Sequence, residues 1–281
     1  MLGAALIHPD RREVMPLMPE PIVKHDGTEK NDCEREAAKR LIVQLRQDHP
    51  HLPLIVTADS LRSNAPPIQA LQAHHVHDIL GVKEGDHAPL CAQVAVAAQA
   101  GRVTYYDRDD SETGLRQRFR FVSNVPLNES HIDLRVNSLE CWEWDKDTVQ
   151  HFSWVTDLRV NKGTVYQIMR GGRARWRIEN ETFNTLKNQG YHFEHNYGHG
   201  YQHLSVGFAV LMRLAFLVAQ VQQLCCPLCQ AVWAKLGSKR RLWERMRALF
   251  YAYVLASMPQ RCEALFYGLQ KRAPLCVVDS S

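Results

Sequence analysis

Asp59 ends an apolar run, LPLIVTADS (52–60), that reads as a β-strand. A carboxylate at the carboxyl end of such a strand is placed for a metal or a substrate, because ligands of α/β sheets bind beyond the strand C-termini. A strand-ending turn or a helix N-cap asks for the same residue type. The segment GGRARWRIENETFNTLKNQGY (171–191) supplies a second carboxylate, on a helix. At about 100° per residue, Arg175 and Glu179 share one face, about 40° apart. Trp176 and Phe183 flank Glu179 at about 60° and 40°, so this carboxylate is expected among aromatics, with Glu181 on the far side. An Arg–Glu pair at this spacing is also ordinary surface decoration worth ~0.2–0.5 kcal/mol.

Three other groupings carry weaker signals. Cys225, Cys226 and Cys229 (CCPLC) have the spacing of half a zinc site, but Cys262 and Cys276 do not complete four ligands, so buried or incidental thiols are expected. His192, His195, His199 and His203 recur three or four apart, the spacing of metal ligands on a helix, yet Gly198 and Gly200 break any helix there. The stretch GSKRRLWERMR (237–247) combines cations with one Trp and suits phosphate contact or a solvated helix face.

The elements that must position these residues follow from periodicity. GAALIH and EVMPLM suggest one or two strands within residues 1–25. DCEREAAKRLIVQLRQDH is a helix, with acidic residues first, Ala37, Leu41 and Leu45 at helical spacing, and a His-Pro stop. The run at 52–60 is a buried strand, PPIQALQAHHVH a second helix with Pro in its first turn, and HDILGVK (77–83) another strand. This alternation predicts an α/β core with parallel neighbours. Residues 101–160 change period: RVTYYDRD, RQRFRFVSNV, IDLRVNSLECWEW and HFSWVTDLRV alternate every second residue, as about four antiparallel strands would. Helical period returns near 164 and holds, with a break at 188–203. The expected organisation is 1–100 and 161–225 as two parts of one core, 101–160 as a β-strand insertion and 226–281 as a helical tail.

Composition bounds the rest. In 281 residues, 45% hydrophobic and 23% charged, there is enough apolar material for a core, and fibrous or disordered classes are excluded. Thirty-four Lys and Arg against thirty Asp and Glu leave a net charge of +4, compatible with nucleic acid without arguing for it. Eight unevenly spaced cysteines, with no signal-peptide pattern, read as reduced thiols. LSVGFAVLMRLAFLVAQV (204–221) is apolar enough to suggest a membrane span, but Arg213 interrupts it and a central Arg costs roughly 2.5–3.5 kcal/mol there. A buried core helix in a soluble protein is expected.

Taken together, DGTEKNDCEREAAKRL, LIVTADSLRSNAPPIQAL, WVTDLRV and RARWRIENETFNTLKNQGYHFEHNYGHG resemble the cut-and-paste DDE transposases of bacterial insertion sequences. The likeness is to the insertion-sequence-four group, with a ribonuclease-H-like core interrupted by β-strands, and runs from about residue 15 to about 225. It implies DNA cleavage and strand transfer at element ends, with Mg²⁺ held by two aspartates and a glutamate. Carboxylates suit Mg²⁺, and two such ions activate the attacking oxygen and stabilise the leaving one. By resemblance Asp59 is the second Asp and Glu179 the Glu, both catalytic metal ligands. Arg175 matches the Arg and Lys187 approximates the Lys of the family's Tyr–Arg–Glu–Lys signature, and with Arg173 they are expected to face DNA. The implied partners are the terminal inverted repeats, target DNA and a second copy in a homodimer, without membrane, in the bacterial cytoplasm with the chromosome.

Three departures qualify the likeness. The signature's Tyr position is Gly172. Lys187 lies eight residues after Glu179, where seven is expected. The family's first Asp belongs to a strand upstream of those that open this chain, and neither Asp10, in a turn-like HPDRR, nor Asp26, in a DGT loop, sits in an apolar strand. The resemblance therefore implies a chain lacking its N-terminal part and first ligand, weak or inactive alone. The alternative is a non-catalytic DNA-binding or dimerising remnant. The β insertion argues against a simple nuclease of the same fold.

Overall fold

A computed structural model describes residues 1–22, 30–59, 63–83, 85–110, 114–145, 148–195, 204–268 and 276–277. In chain order it contains β1 (Ala5–His8), β2 (Arg11–Pro16), α1 (Lys30–Asp48), β3 (Ile55–Ala58), α2 (Ala65–Ala73), β4 (His77–Gly81) and α3 (Ala88–Gln99). Four strands follow: β5 (Thr104–Asp109), β6 (Arg116–Asn128), β7 (His131–Asp145) and β8 (Thr148–Thr156). Then come α4 (Val165–Ala174), a π-helical turn (Ile178–Phe183), α5 (Asn184–Asn188), α6 (Leu204–Cys225), α7 (Pro227–Leu236) and α8 (Lys239–Ala252). The chain closes with β9 (Tyr253–Val254), α9 (Met258–Tyr267) and β10 (Cys276–Val277). Two compact units divide it: Met1–Gly3, His8–Asp10 and Pro19–Trp176 form unit 1, and Ala4–Ile7, Arg11–Met18 and Arg177–Ser281 form unit 2.

Unit 1 is built on a six-stranded mixed sheet in the order β3-β4-β8-β7-β6-β5. β3 and β4 run parallel, Ile55 beside His77 through Ala58 beside Leu80, and α2 makes the crossover between them. The strands of residues 101–160 are antiparallel, as their alternation predicts, and they extend this same sheet because β8 pairs with β4. Period-two alternation gives the sheet two apolar faces. Leu80, Val122, Val125, Val136 and Val155 pack with Ile68 of α2 and with Leu90, Val94 and Ala97 of α3. Ile79, Phe119, Leu139, Cys141 and Trp154 meet Val165, Ile168 and Met169 of α4. Helices thus cover both faces, and the mixed α/β architecture expected from the sequence is the one observed.

Two expectations are corrected in this unit. The run at 52–60 is not a strand buried on both sides: β3 is half-buried, Ile55 is exposed, and among the described residues it pairs with β4 alone. An apolar run reports β-propensity, while sheet position depends on which partner reaches it. α3 is an additional helix between β4 and the antiparallel strands, where periodicity gives little contrast because APLCAQVAVAAQ has no charged face.

Unit 2 holds Ala4–Ile7 of the first strand segment, all of β2 and the C-terminal helices. The helix read at 171–191 is not one regular helix. α4 ends at Ala174, the Arg175 amide reaches back three residues to the Gly172 carbonyl, and residues 178–183 widen into a π-helix before α5. α7, α8 and α9 close a small core of Cys229, Val232, Leu236, Met246, Cys262 and Leu265. Gly237, at φ 75°, caps α7 in the left-handed conformation that a side chain would resist. Ser238 caps α8, its hydroxyl accepting from the Arg241 amide, so the basic stretch at 237–247 is helical as expected.

The expectation for α6 is also corrected. It is the one described helix long and apolar enough to cross a membrane by length and composition, yet only 17% of its apolar window is buried. Its inward face carries Phe216, Gln220 and Arg213, the last only 3% exposed. Arg213 donates to the carbonyls of Ala4 (2.6 Å) and Leu17 (3.2 Å), satisfying hairpin backbone. Burial lowers its pKa to about 10 without neutralising it at physiological pH. Leu204, Leu211, Leu214, Val218 and Val221 are exposed, while Arg213, Phe216 and Gln220 take the inward side.

Candidate nucleic-acid interface

Asp59 follows directly on β3, and Val82 and Lys83 follow Gly81, the last residue of the parallel neighbour β4. These residues open into one cleft of about 970 Å³ in unit 1. Its origin is topological. β4 pairs with β8 only over Ile79–Gly81 against Thr156–Trp154, after which the Val82 amide donates to the Ser153 carbonyl and the strand leaves the sheet. β8 begins at Thr148, so its first half has no strand on that side among the described residues. The cleft wraps this open stretch, with Arg120, Glu140, Trp142 and His151 on one flank and Gly172, Arg173, Arg175 and Trp176 at the end of α4 on the other. Asp59 therefore lies beyond a strand C-terminus, where α/β sheets bind ligands, together with Arg173 and Arg175.

Much of the charge in the cleft is engaged. Arg120 donates to both oxygens of buried Glu140 (2.6 and 2.7 Å), whose Oε2 also lies 3.3 Å from His151 Nε2. The His151 ring stacks on Trp142 at 4.6 Å. Arg173 pairs with buried Glu143 and lies 4.4 Å over the Phe152 ring, while Gln117 donates to the same carboxylate at 2.6 Å. Lys83 and Trp176 are exposed at the rim. Cys141, behind this wall, is pushed up to about 12 by burial and stays a thiol at neutral pH. Fixed cations beside an exposed indole offer a nucleic-acid strand phosphate contacts and a stacking surface.

Glu179 and Lys187 belong to unit 2. Glu179 is exposed on the π-helical turn, where the 100° step of an α-helix no longer holds, so the wheel relating it to Arg175, Trp176 and Phe183 does not describe the backbone. Phe183 instead meets Phe193, ring centres 6.3 Å apart. Lys187, at the end of α5, is paired with Glu194 at 2.8 Å. Asp10 is paired with Arg170 within unit 1. Asp26, His199 and His203 lie outside the described residues.

Carboxylates are the magnesium ligands that the resemblance implies. The cleft's two lining carboxylates are Asp59 and Glu140, and Glu140 is held by Arg120 and His151. Among the described residues no group of three or more His, Cys, Asp or Glu side chains is arranged to hold a metal ion, the CCPLC cysteines included.

Gly172 explains one departure from the signature. A Cβ built there falls within 2.8 Å of the Trp154 indole, which is buried between β8 and α4. No side chain fits at 172 because a tryptophan from the sheet already fills that space. Gly172→Ala is expected to destabilise unit 1 by about 1–3 kcal/mol, as overpacking a fixed ring does. Urea denaturation checks this, and an unchanged midpoint would show that the ring can move aside.

Lys83, Arg120, Trp142, His151 and Trp154 were not singled out by sequence reasoning. The alternation of RQRFRF and of LECWEW shows which side chains share a sheet face. Only the ladder, in which Arg120 faces Glu140 and Trp142 faces His151, shows that they meet. No protein-family model and no curated protein matches the chain.

Proposed function

We propose that this protein binds DNA as a transposase of the DDE type, and that the unit 1 cleft receives the DNA backbone. The observation that carries the reading is the gathering of Asp59, Lys83, Arg173 and Arg175 around one opening at the C-terminal ends of the parallel strands. Carboxylate and cations there suit a phosphodiester: the cations hold the phosphates, and an exposed Trp176 gives an unpaired base a face to stack on. Catalysis of cleavage and strand transfer, with Asp59 and Glu179 as the acids on which it depends, rests on the resemblance of the four sequence blocks.

A second reading, DNA binding without cleavage, is favoured by the engagement of Glu140 with Arg120 and His151, which leaves Asp59 without a neighbouring free carboxylate in the cleft's described lining. Gel-shift and nicking assays on duplexes copied from the DNA flanking the coding sequence, with and without MgCl₂, separate the two. Retarded complexes with nicking that is lost in both Asp59→Asn and Glu179→Gln support the enzyme. Complexes without nicking support the second reading. No preference for flanking over unrelated duplex would remove both.

A further inference from the structure

The outward face of α6 carries a seven-residue repeat. Leu204, Leu211 and Val218 recur every seven residues, and Gly207, Leu214 and Val221 repeat at the same interval three positions later. These are the a and d positions of a coiled-coil seam. The five side chains are between 38% and 59% exposed, and a Cβ built on Gly207 would meet nothing within 4 Å. The only charged residue of the helix, Arg213, is turned inward.

We propose that α6 pairs with α6 of a second copy of this chain, antiparallel, about a two-fold axis passing between residues 212 and 213. That axis sets Leu211 against Leu214, Gly207 against Val218 and Leu204 against Val221 of the other copy, so every a position meets a d position and the seam complements itself. An uncharged stripe selects neither an acidic nor a basic partner. A helix of 22 residues is about 33 Å long, and half its girth buries roughly 500 Å² per copy. The pair thus covers about 1,000 Å², at the lower edge of specific interfaces, so a reversible, concentration-dependent dimer is expected. An apolar face of this kind also suits a lipid surface, which vesicle flotation distinguishes from a second copy. The proposal does not depend on the DNA reading.

Sedimentation velocity on the whole chain tests it, at loadings from about 1 to about 100 μM. The unaltered chain is expected to pass from monomer to dimer across this range. Leu211→Glu, at a position already exposed, is expected to keep its far-UV circular dichroism and to weaken association at least about 100-fold. Combining Leu211→Glu with Leu214→Lys restores the dimer, because only antiparallel pairing sets opposite charges against each other. A monomer at the highest loading, an undiminished dimer in Leu211→Glu, or no recovery in the double variant would overturn the proposal. So would a monomeric chain that instead floats with phosphatidylcholine vesicles.

Discussion

Asp78→Asn is expected to stabilise unit 1 at pH 8 by about 2–4 kcal/mol and to flatten its stability between pH 4 and pH 7. Asp78 lies on β4 in parallel register with Val56 and is 2% exposed. Its Oδ1 is buried without a hydrogen-bond partner. Burial, and then the neighbouring Asp157 carboxylate, raise its pKa from 3.8 to about 7. Asp157 is itself held in place, accepting from the Asp78 amide at 3.0 Å and lying 2.6 Å from His77 Nδ1.

The sign follows from proton counting. Between pH 4 and 7 the folded chain keeps a proton on Asp78 that the unfolded chain has lost, so stability falls as pH rises. The contribution is greatest below the unfolded value, is lost progressively up to about pH 7, and is constant above it. About three pH units at about 1.4 kcal/mol each give an upper figure of about 4 kcal/mol. Asn keeps the shape and neutrality of the protonated acid, so it removes the penalty without opening a cavity. Urea denaturation at pH 5 and pH 8 reads the difference. Equal stabilities of the variant and the unaltered chain at pH 8 would mean that Asp78 is solvated in solution.

What the sequence made legible was whatever local chemistry dictates. α1 could be read because acidic residues open it, Ala37 and Leu41 fall on one buried face, and His49-Pro50 stops it. β6, β7 and β8 could be read because long alternating runs have one pattern and one explanation. The π-helical turn could not, since a residue inserted into a helical ladder leaves the apolar spacing on both sides intact. The outward seam of α6 escaped for a different reason. Hydropathy counts apolar residues but does not say which face finds partners, and Arg213, which looks like a defect in the pattern, defines the inward side. In the cleft, Asp59 was visible from its strand, whereas Lys83 and Trp154 join it only because β4 stops short along β8.

The two arginines at the end of α4 are expected to behave differently when removed, although the sequence offers them as equivalents. Arg173 is tied to Glu143, a carboxylate only 4% exposed whose other hydrogen bond comes from Gln117. Arg173→Ala leaves that buried charge short of its cation, at a cost of about 2–3 kcal/mol, below the figure for a fully buried pair because Arg173 is itself about a third exposed. Adding Glu143→Gln should recover most of the loss. Arg175 lines the cleft, and the effect of Arg175→Ala is expected on DNA binding. The substitution should weaken duplex DNA binding by about tenfold or more and lower the slope of log affinity against log salt by about one, the signature of one lost phosphate contact. Thermal denaturation and salt-titrated gel shifts on the same two variants measure both effects. An unchanged salt slope in Arg175→Ala would remove the cleft from the path of DNA, and an Arg173→Ala chain of full stability would mean that Glu143 reaches water.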